Sequence, residues 1–109
     1  MSKVSYNLDL TSAAAASDYL TVGANQPVFV SSTSWGSGGS VTINFSSIIN
    51  GATGTEVALT TDLNFTSATV STGRKWVAPV AGKLRAKVTT TGASGNAVGE
   101  ISTDAARSW

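Results

Sequence analysis

The sequence predicts an all-β protein: one small β-sandwich, jelly-roll- or Ig-like, of about eight short antiparallel strands. Three observations carry this. Apolar residues recur at period two in several short runs, the pattern of strands with one buried face. Turn signals punctuate the 109 residues roughly every ten positions. The composition is rich in Thr, Ser and Gly, and only 12% of residues are charged. Thr favours strands, while the Glu and Lys that usually coat helices are scarce.

The elements follow in order. Val4, Tyr6, Leu8 and Leu10 alternate with polar residues, predicting an N-terminal strand over 3–11. The four alanines of 12–17 are too few for a stable helix and read as a connector. A second strand spans Asp18 to Val22. A third begins at Pro27, because proline donates nothing to a ladder and is confined to strand starts, edges or bulges. Residues 31–40 are nearly all Ser, Thr and Gly and read as a loop holding Trp35. Val41, Ile43 and Phe45 give the cleanest strand. Asn50-Gly51 marks a tight turn, since both residues tolerate positive φ. Val57 and Leu59 alternate again, then Leu63 and Phe65, and Ala68 to Thr72 is a short strand or turn. Trp76 to Val80 is the next apolar stretch. Leu84, Ala86 and Val88 alternate with Lys83, Arg85 and Lys87. Residues 89–96 read as a loop, 97–103 as the last strand and 104–109 as a short C-terminal tail.

The expected core is Tyr6, Leu8, Leu10, Leu20, Val22, Phe29, Val41, Ile43, Phe45, Val57, Leu59, Phe65, Trp76, Leu84, Val88, Val98 and Ile101. The length suits one domain, 1–109, with one thin core.

Composition also narrows function. The chain has no His and no Cys. That removes the commonest general base, the thiol nucleophile and the soft metal ligands. The six acids, Asp9, Asp18, Glu56, Asp62, Glu100 and Asp104, show no pairing that a glycosidase or a calcium site would need. No Gly-x-Ser-x-Gly elbow follows a strand, and Gly36-Ser37-Gly38-Gly39 lacks the Lys and helix of a phosphate loop. The expectation is a protein that is not an enzyme and carries no cofactor or metal. A net charge of +1 gives no field to draw nucleic acid or an anionic membrane. Met1 to Tyr6 lacks the apolar core of a secretory leader, and no apolar run approaches a bilayer span, so a soluble chain is expected.

The residues best placed to meet a partner are therefore cationic or aromatic. Lys83, Arg85 and Lys87 share one strand face, and Arg74 and Lys75 bring five of the seven cations into one stretch. This stripe reads as a solvated strand face, as a docking surface for an acidic partner or as a phosphate contact, although no aromatics interleave with its cations as a single-strand binder would want. Trp35, in a Ser/Gly-rich stretch, and Trp109, the last residue, read either as interface anchors or as lids folded on their own domain. The candidate contact set is Trp35, Arg74, Lys83, Arg85, Lys87 and Trp109.

Three segments carry a resemblance: Gly39-Ser-Val-Thr-Ile-Asn-Phe45, then Phe65-Thr66-Ser67, then Val80-Ala-Gly-Lys-Leu-Arg-Ala-Lys-Val88. The span from Gly39 to Ile101 resembles small β-sandwich virion proteins of tailed phages, in particular head decoration, or cement, proteins. The resemblance implies a non-enzymatic structural protein on the surface of the phage head, made in the host cytoplasm. It implies a homotrimer that contacts the major capsid protein and stabilises the shell, with no nucleic acid or membrane as partner. The alternative within the same composition is a tail or fibre component, or a module that adheres to carbohydrate or a host surface.

Overall fold

A computed structural model describes residues 3–103. Within them the chain is all-β, with ten strands and a single 3-10 turn. The strands are β1 (Lys3–Asp9), β2 (Leu20–Val22), β3 (Pro27–Ser34), β4 (Ser37–Ile49) and β5 (Ala52–Thr53), then β6 (Val57–Ala58), β7 (Asn64–Thr66), β8 (Thr72–Val77), β9 (Gly82–Ser94) and β10 (Asn96–Ser102). They form two antiparallel sheets. One runs β1-β10-β3-β8; the other runs β2-β9-β4, and β5, β6 and β7 all pair along the far side of β4. Those three short pieces occupy one row, so the sandwich has four rows in each sheet.

The row order has a simple logic. β1 pairs with β10, β2 with β9, β3 with β8, and β4 with the β5–β7 row. Early strands thus pair with late ones, as in one long hairpin. Rolling that hairpin places β10 beside β3 and β9 beside β4. This is the pairing of a jelly roll rather than of an immunoglobulin domain, whose first sheet carries sequential strands A and B side by side.

The core lies between the sheets. Tyr6, Leu8, Leu10, Leu20, Val22, Val41, Ile43, Phe45, Phe65, Leu84, Val88 and Ile101 are buried, as their period-two spacing predicts. Val28, Val30, Leu63, Ala78, Ala86 and Ala97 are fully buried as well. Five expected core residues sit differently. Val57 is 57% exposed, because β6 is a two-residue fragment at the sheet margin and nothing lies over it. Phe29 is half-buried, since the parity of β3 turns Val28 and Val30 inward. Val98 is half-buried on the outward parity of β10. Leu59 and Trp76 are half-buried but pack against the core. The Trp76 ring meets Phe45 edge-on with centroids 5.2 Å apart.

Tyr6 crosses the first sheet from within. It faces Gly99 on β10, and its hydroxyl donates to the carbonyl of Ser31 on β3 at 2.9 Å. Only a residue without a side chain on the intervening strand leaves room for the ring. Burial pushes the Tyr6 phenol up to about 12.

Two stretches read as loops are strand. Residues 31–40 belong to β3 and β4 apart from the connection at Trp35 and Gly36. Residues 89–94 extend β9, and Gly95 alone turns the chain into β10. The physical reason is close backbone approach. Gly38 and Gly39 have φ of +71° and +75° at a bulge, and a Cβ on Gly39 would sit 2.7 Å from the Thr90 carbonyl. Glycine here marks contact between β4 and β9, not slack. The N-terminal strand also stops at Asp9 rather than 11, where the Asp9 carboxylate accepts from the Thr11 backbone N–H and hydroxyl and starts a turn. Asn50 and Gly51 take positive φ and close a tight β4–β5 hairpin, as expected. Pro27 opens β3 as expected, although the strand lies inside its sheet.

Candidate functional site

β9 alternates cleanly: Leu84, Ala86 and Val88 are buried, and Lys83, Arg85 and Lys87 project from the opposite face. The fold adds what spacing along one strand could not reveal. β2 lies beside β9 with Thr21 opposite Lys83 and Leu20 opposite Leu84, which carries Tyr19 next to the cations. The Lys83 ammonium stands 4.0 Å from the centre of the Tyr19 ring, and the Arg85 guanidinium 4.8 Å. From the other side, β4 and β6 bring Asn44 and Glu56.

Glu56 is the hub. It forms an ion pair with Arg85 at 3.1 Å. Its carboxylate also accepts from the Tyr19 hydroxyl and from the Asn44 side-chain amide, both at 2.7 Å. Partial burial pushes its carboxyl up, but the hydrogen bonds from Asn44, Tyr19 and Arg85 together outweigh that and hold it below the ordinary Glu value. The same contact raises the Tyr19 phenol, because ionising it would set two negative groups together. Lys87 is held differently, donating to the Ala13 carbonyl at 2.8 Å.

The stripe is therefore an ordered, net cationic patch in which Arg85 is paired with Glu56 and Lys87 is held by a carbonyl. Tyr19 is 38% exposed at its centre. A Tyr flanked by fixed Arg and Lys is the kind of surface that anchors protein contacts, and side chains already held lose little entropy on binding. Glu56 is the single acid among these side chains. Among the described residues no group of three His, Cys, Asp or Glu is placed to hold a metal ion.

The acid limb of stability should report on this hub. A carboxyl whose folded pKa is depressed contributes stability above its unfolded value and loses it as pH falls through the folded value. Glu56→Gln should accordingly flatten the loss of stability on acidification through and below the ordinary carboxylate range, read from urea midpoints against pH. Asp9, lowered by hydrogen bonds from Thr11, remains as a second contributor in that variant.

Arg74 faces inward on β8, opposite Val30. Its guanidinium donates to the carbonyls of Asp62 and Asn64 at 3.3 and 3.1 Å and lies 5.0 Å from the centre of the Phe65 ring. It clips the edge of the first sheet to β7 of the second and stands apart from the Lys83–Arg85–Lys87 face. Trp35 lies at the other end of the sandwich, at the β3–β4 corner. It is half-buried against the core, and its indole N–H donates to the Gly38 carbonyl at 2.8 Å. Trp109 lies outside the described residues.

A second feature is a groove of about 600 Å³ over the β3–β8 pair. Its lining includes Phe29, Ser31, Thr33, Ser71, Thr72 and Lys75. Ser71, at one rim, holds a positive φ of 65°.

Tyr19 and Glu56 are the members of the patch that the sequence did not single out. Tyr19 has a legible parity, since Leu20 and Val22 point inward and their neighbours outward. Glu56 has none, because it precedes a two-residue strand whose register on β4 is set by tertiary pairing. Against known protein families, curated proteins and solved structures, the chain matches none.

Proposed function

We propose that this chain is a non-enzymatic structural module of a phage particle, a decoration protein that binds the outer shell of the head through its major capsid protein. The observation that carries the reading is the jelly-roll pairing of its strands, an architecture used by viral capsid domains. Architecture sets a class of use and not a site, so the reading also draws on surface chemistry. A sequence without His or Cys is poorly equipped for catalysis. A surface built from Thr, Ser and Gly carries few charges to desolvate when it packs against protein. The Tyr19–Lys83–Arg85–Glu56 patch is the contact surface assigned to the capsid subunit. A module that binds the assembled shell better than its free subunits stabilises the shell by mass action.

A second reading, an adhesion module of the tail or fibre, draws on the β3–β8 groove. Jelly rolls also serve as lectin domains, and a groove lined with hydroxyls beside an aromatic ring suits a sugar. Copy number separates the two. Quantitative mass spectrometry of purified particles should find the chain in simple ratio to the major capsid protein if it decorates the head. A count of a few copies per particle would transfer the assignment to the tail, and absence from the particle would remove both.

A further inference from the structure

The sandwich has four sheet margins, and they are not alike. β2 is three residues long, and the β5–β7 row is broken into short pieces. β8 carries Gly73, Arg74 and Lys75. Short, broken or cationic edges of this kind resist pairing with another chain. β1 carries one cation, Lys3, at its first position and is otherwise long and unbroken. Its seven residues pair with β10 in unbroken register, from Lys3 opposite Ser102 to Asp9 opposite Asn96, without glycine, proline or bulge. Among the described residues no strand pairs with its other side.

The direction of its backbone groups follows from one hydrogen bond. Leu10 N–H donates to the Gly95 carbonyl at 3.1 Å, continuing the β1–β10 ladder. In an antiparallel ladder the backbone groups alternate in direction along the strand. Val4, Tyr6 and Leu8 therefore bond towards β10, and Lys3, Ser5, Asn7 and Asp9 aim their N–H and C=O groups at the open edge. The side chains of these four residues are exposed on the outer face.

We propose that β1 is a self-pairing edge. The β1 strand of a second copy docks on it antiparallel, about a two-fold axis at Tyr6, and joins two four-stranded sheets into one continuous sheet. This register sets Lys3 opposite the partner's Asp9, Ser5 opposite the partner's Asn7, and Val4 opposite the partner's Leu8. It satisfies three conditions together. Residues with outward backbone groups meet each other, so the ladder hydrogen bonds form. Opposite charges meet at both ends. Apolar side chains meet on the inner face, where Val4 is still half-exposed. A slip of one residue sets outward groups against inward ones, and a slip of two leaves Lys3 and Asp9 without each other. Both charged groups are already oriented, Lys3 by Glu100 at 3.4 Å and Asp9 by Thr11. The proposal goes beyond the virion reading and does not rest on it. It specifies two-fold rather than three-fold association.

Sedimentation equilibrium of the full chain over a concentration series tests it, with circular dichroism confirming that each variant is folded. The wild-type chain should approach the mass of two chains. Lys3→Asp sets like charges together and should weaken the dimer by about tenfold or more. The double charge swap Lys3→Asp with Asp9→Lys should restore it. Ser5→Pro removes one outward N–H while leaving the β10 ladder intact and should give a monomer. A single-chain mass at every concentration, a three-chain mass, or a dimer that ignores Lys3→Asp and Ser5→Pro would overturn the proposal. Folded swap variants that stay monomeric would overturn the register.

Discussion

Gly99→Ala is expected to lower stability by about 3 kcal/mol, at the upper end of the cost of overpacking a core. The added Cβ would fall 2.5 Å from Tyr6 Cζ, and it would also overlap the Tyr6 hydroxyl and the Ser31 carbonyl oxygen. Gly99 is the middle member of three adjacent strands, β1, β10 and β3. The ring of Tyr6 cannot move aside without giving up its hydrogen bond to Ser31, and the Ser31 carbonyl belongs to a neighbouring ladder. Urea unfolding, monitored by circular dichroism, gives the measurement. A companion variant isolates the hydroxyl. Tyr6→Phe keeps the ring and should cost about 1 kcal/mol for the lost hydrogen bond. It should also change the alkaline limb. The Tyr6 phenol is raised from 10.0 to about 12. A raised pKa in the folded state contributes stability below pH 10 that is lost as pH climbs towards 12, and Tyr6→Phe removes that part of the loss.

The second large effect separates two residues that look alike in sequence. Leu63 is fully buried, and its carbonyl accepts from the Ile43 N–H at 3.0 Å, beside the centre of β4. Leu63→Ala should cost about 2–5 kcal/mol, the range for truncating a buried Leu. Val57→Ala should stay within about 0.5 kcal/mol, as surface substitutions do. Thermal and urea midpoints of the two variants decide the matter, and equal losses would contradict the description of the β5–β7 margin.

These cases show what the sequence could and could not convey. Period-two spacing placed Tyr6, Leu8, Val41, Ile43, Leu84 and Ile101 inside, because alternation is a property of the strand itself. It failed at β3, where Phe29 was preferred over Val28 and Val30. In an apolar run of three residues the alternation has no fixed phase, and the largest side chain is no guide to parity. Leu63 was left out of the expected core although it stands two residues before Phe65, because it lies just ahead of β7 in a short, turn-rich segment. Glycine was the other blind spot. Gly38, Gly39 and Gly92 looked like loop because their composition is that of a loop, yet they lie where the paired β4 and β9 backbones approach each other closely. Composition reports the absence of a Cβ and not the reason for it.

The candidate site divides the same way. That Lys83, Arg85 and Lys87 share a face was legible, because it is local to β9. That Tyr19 and Glu56 complete the patch was not, because it depends on β2 and β6 joining the same sheet. Arg74, grouped with the other cations by sequence proximity, faces the interior. A single residue of strand separates outward from inward, so neighbours in sequence such as Arg74 and Lys75 serve different surfaces.

Saturation binding of the purified chain to head shells that lack it tests the proposed decoration role. A decoration protein should reach a plateau at a fixed small ratio of this chain to the major capsid protein. The saturated shell should dissociate at a higher temperature, and a Tyr19→Ala, Arg85→Ala variant that remains folded should bind more weakly. Absence of binding to the shell, or binding without a plateau, would contradict it.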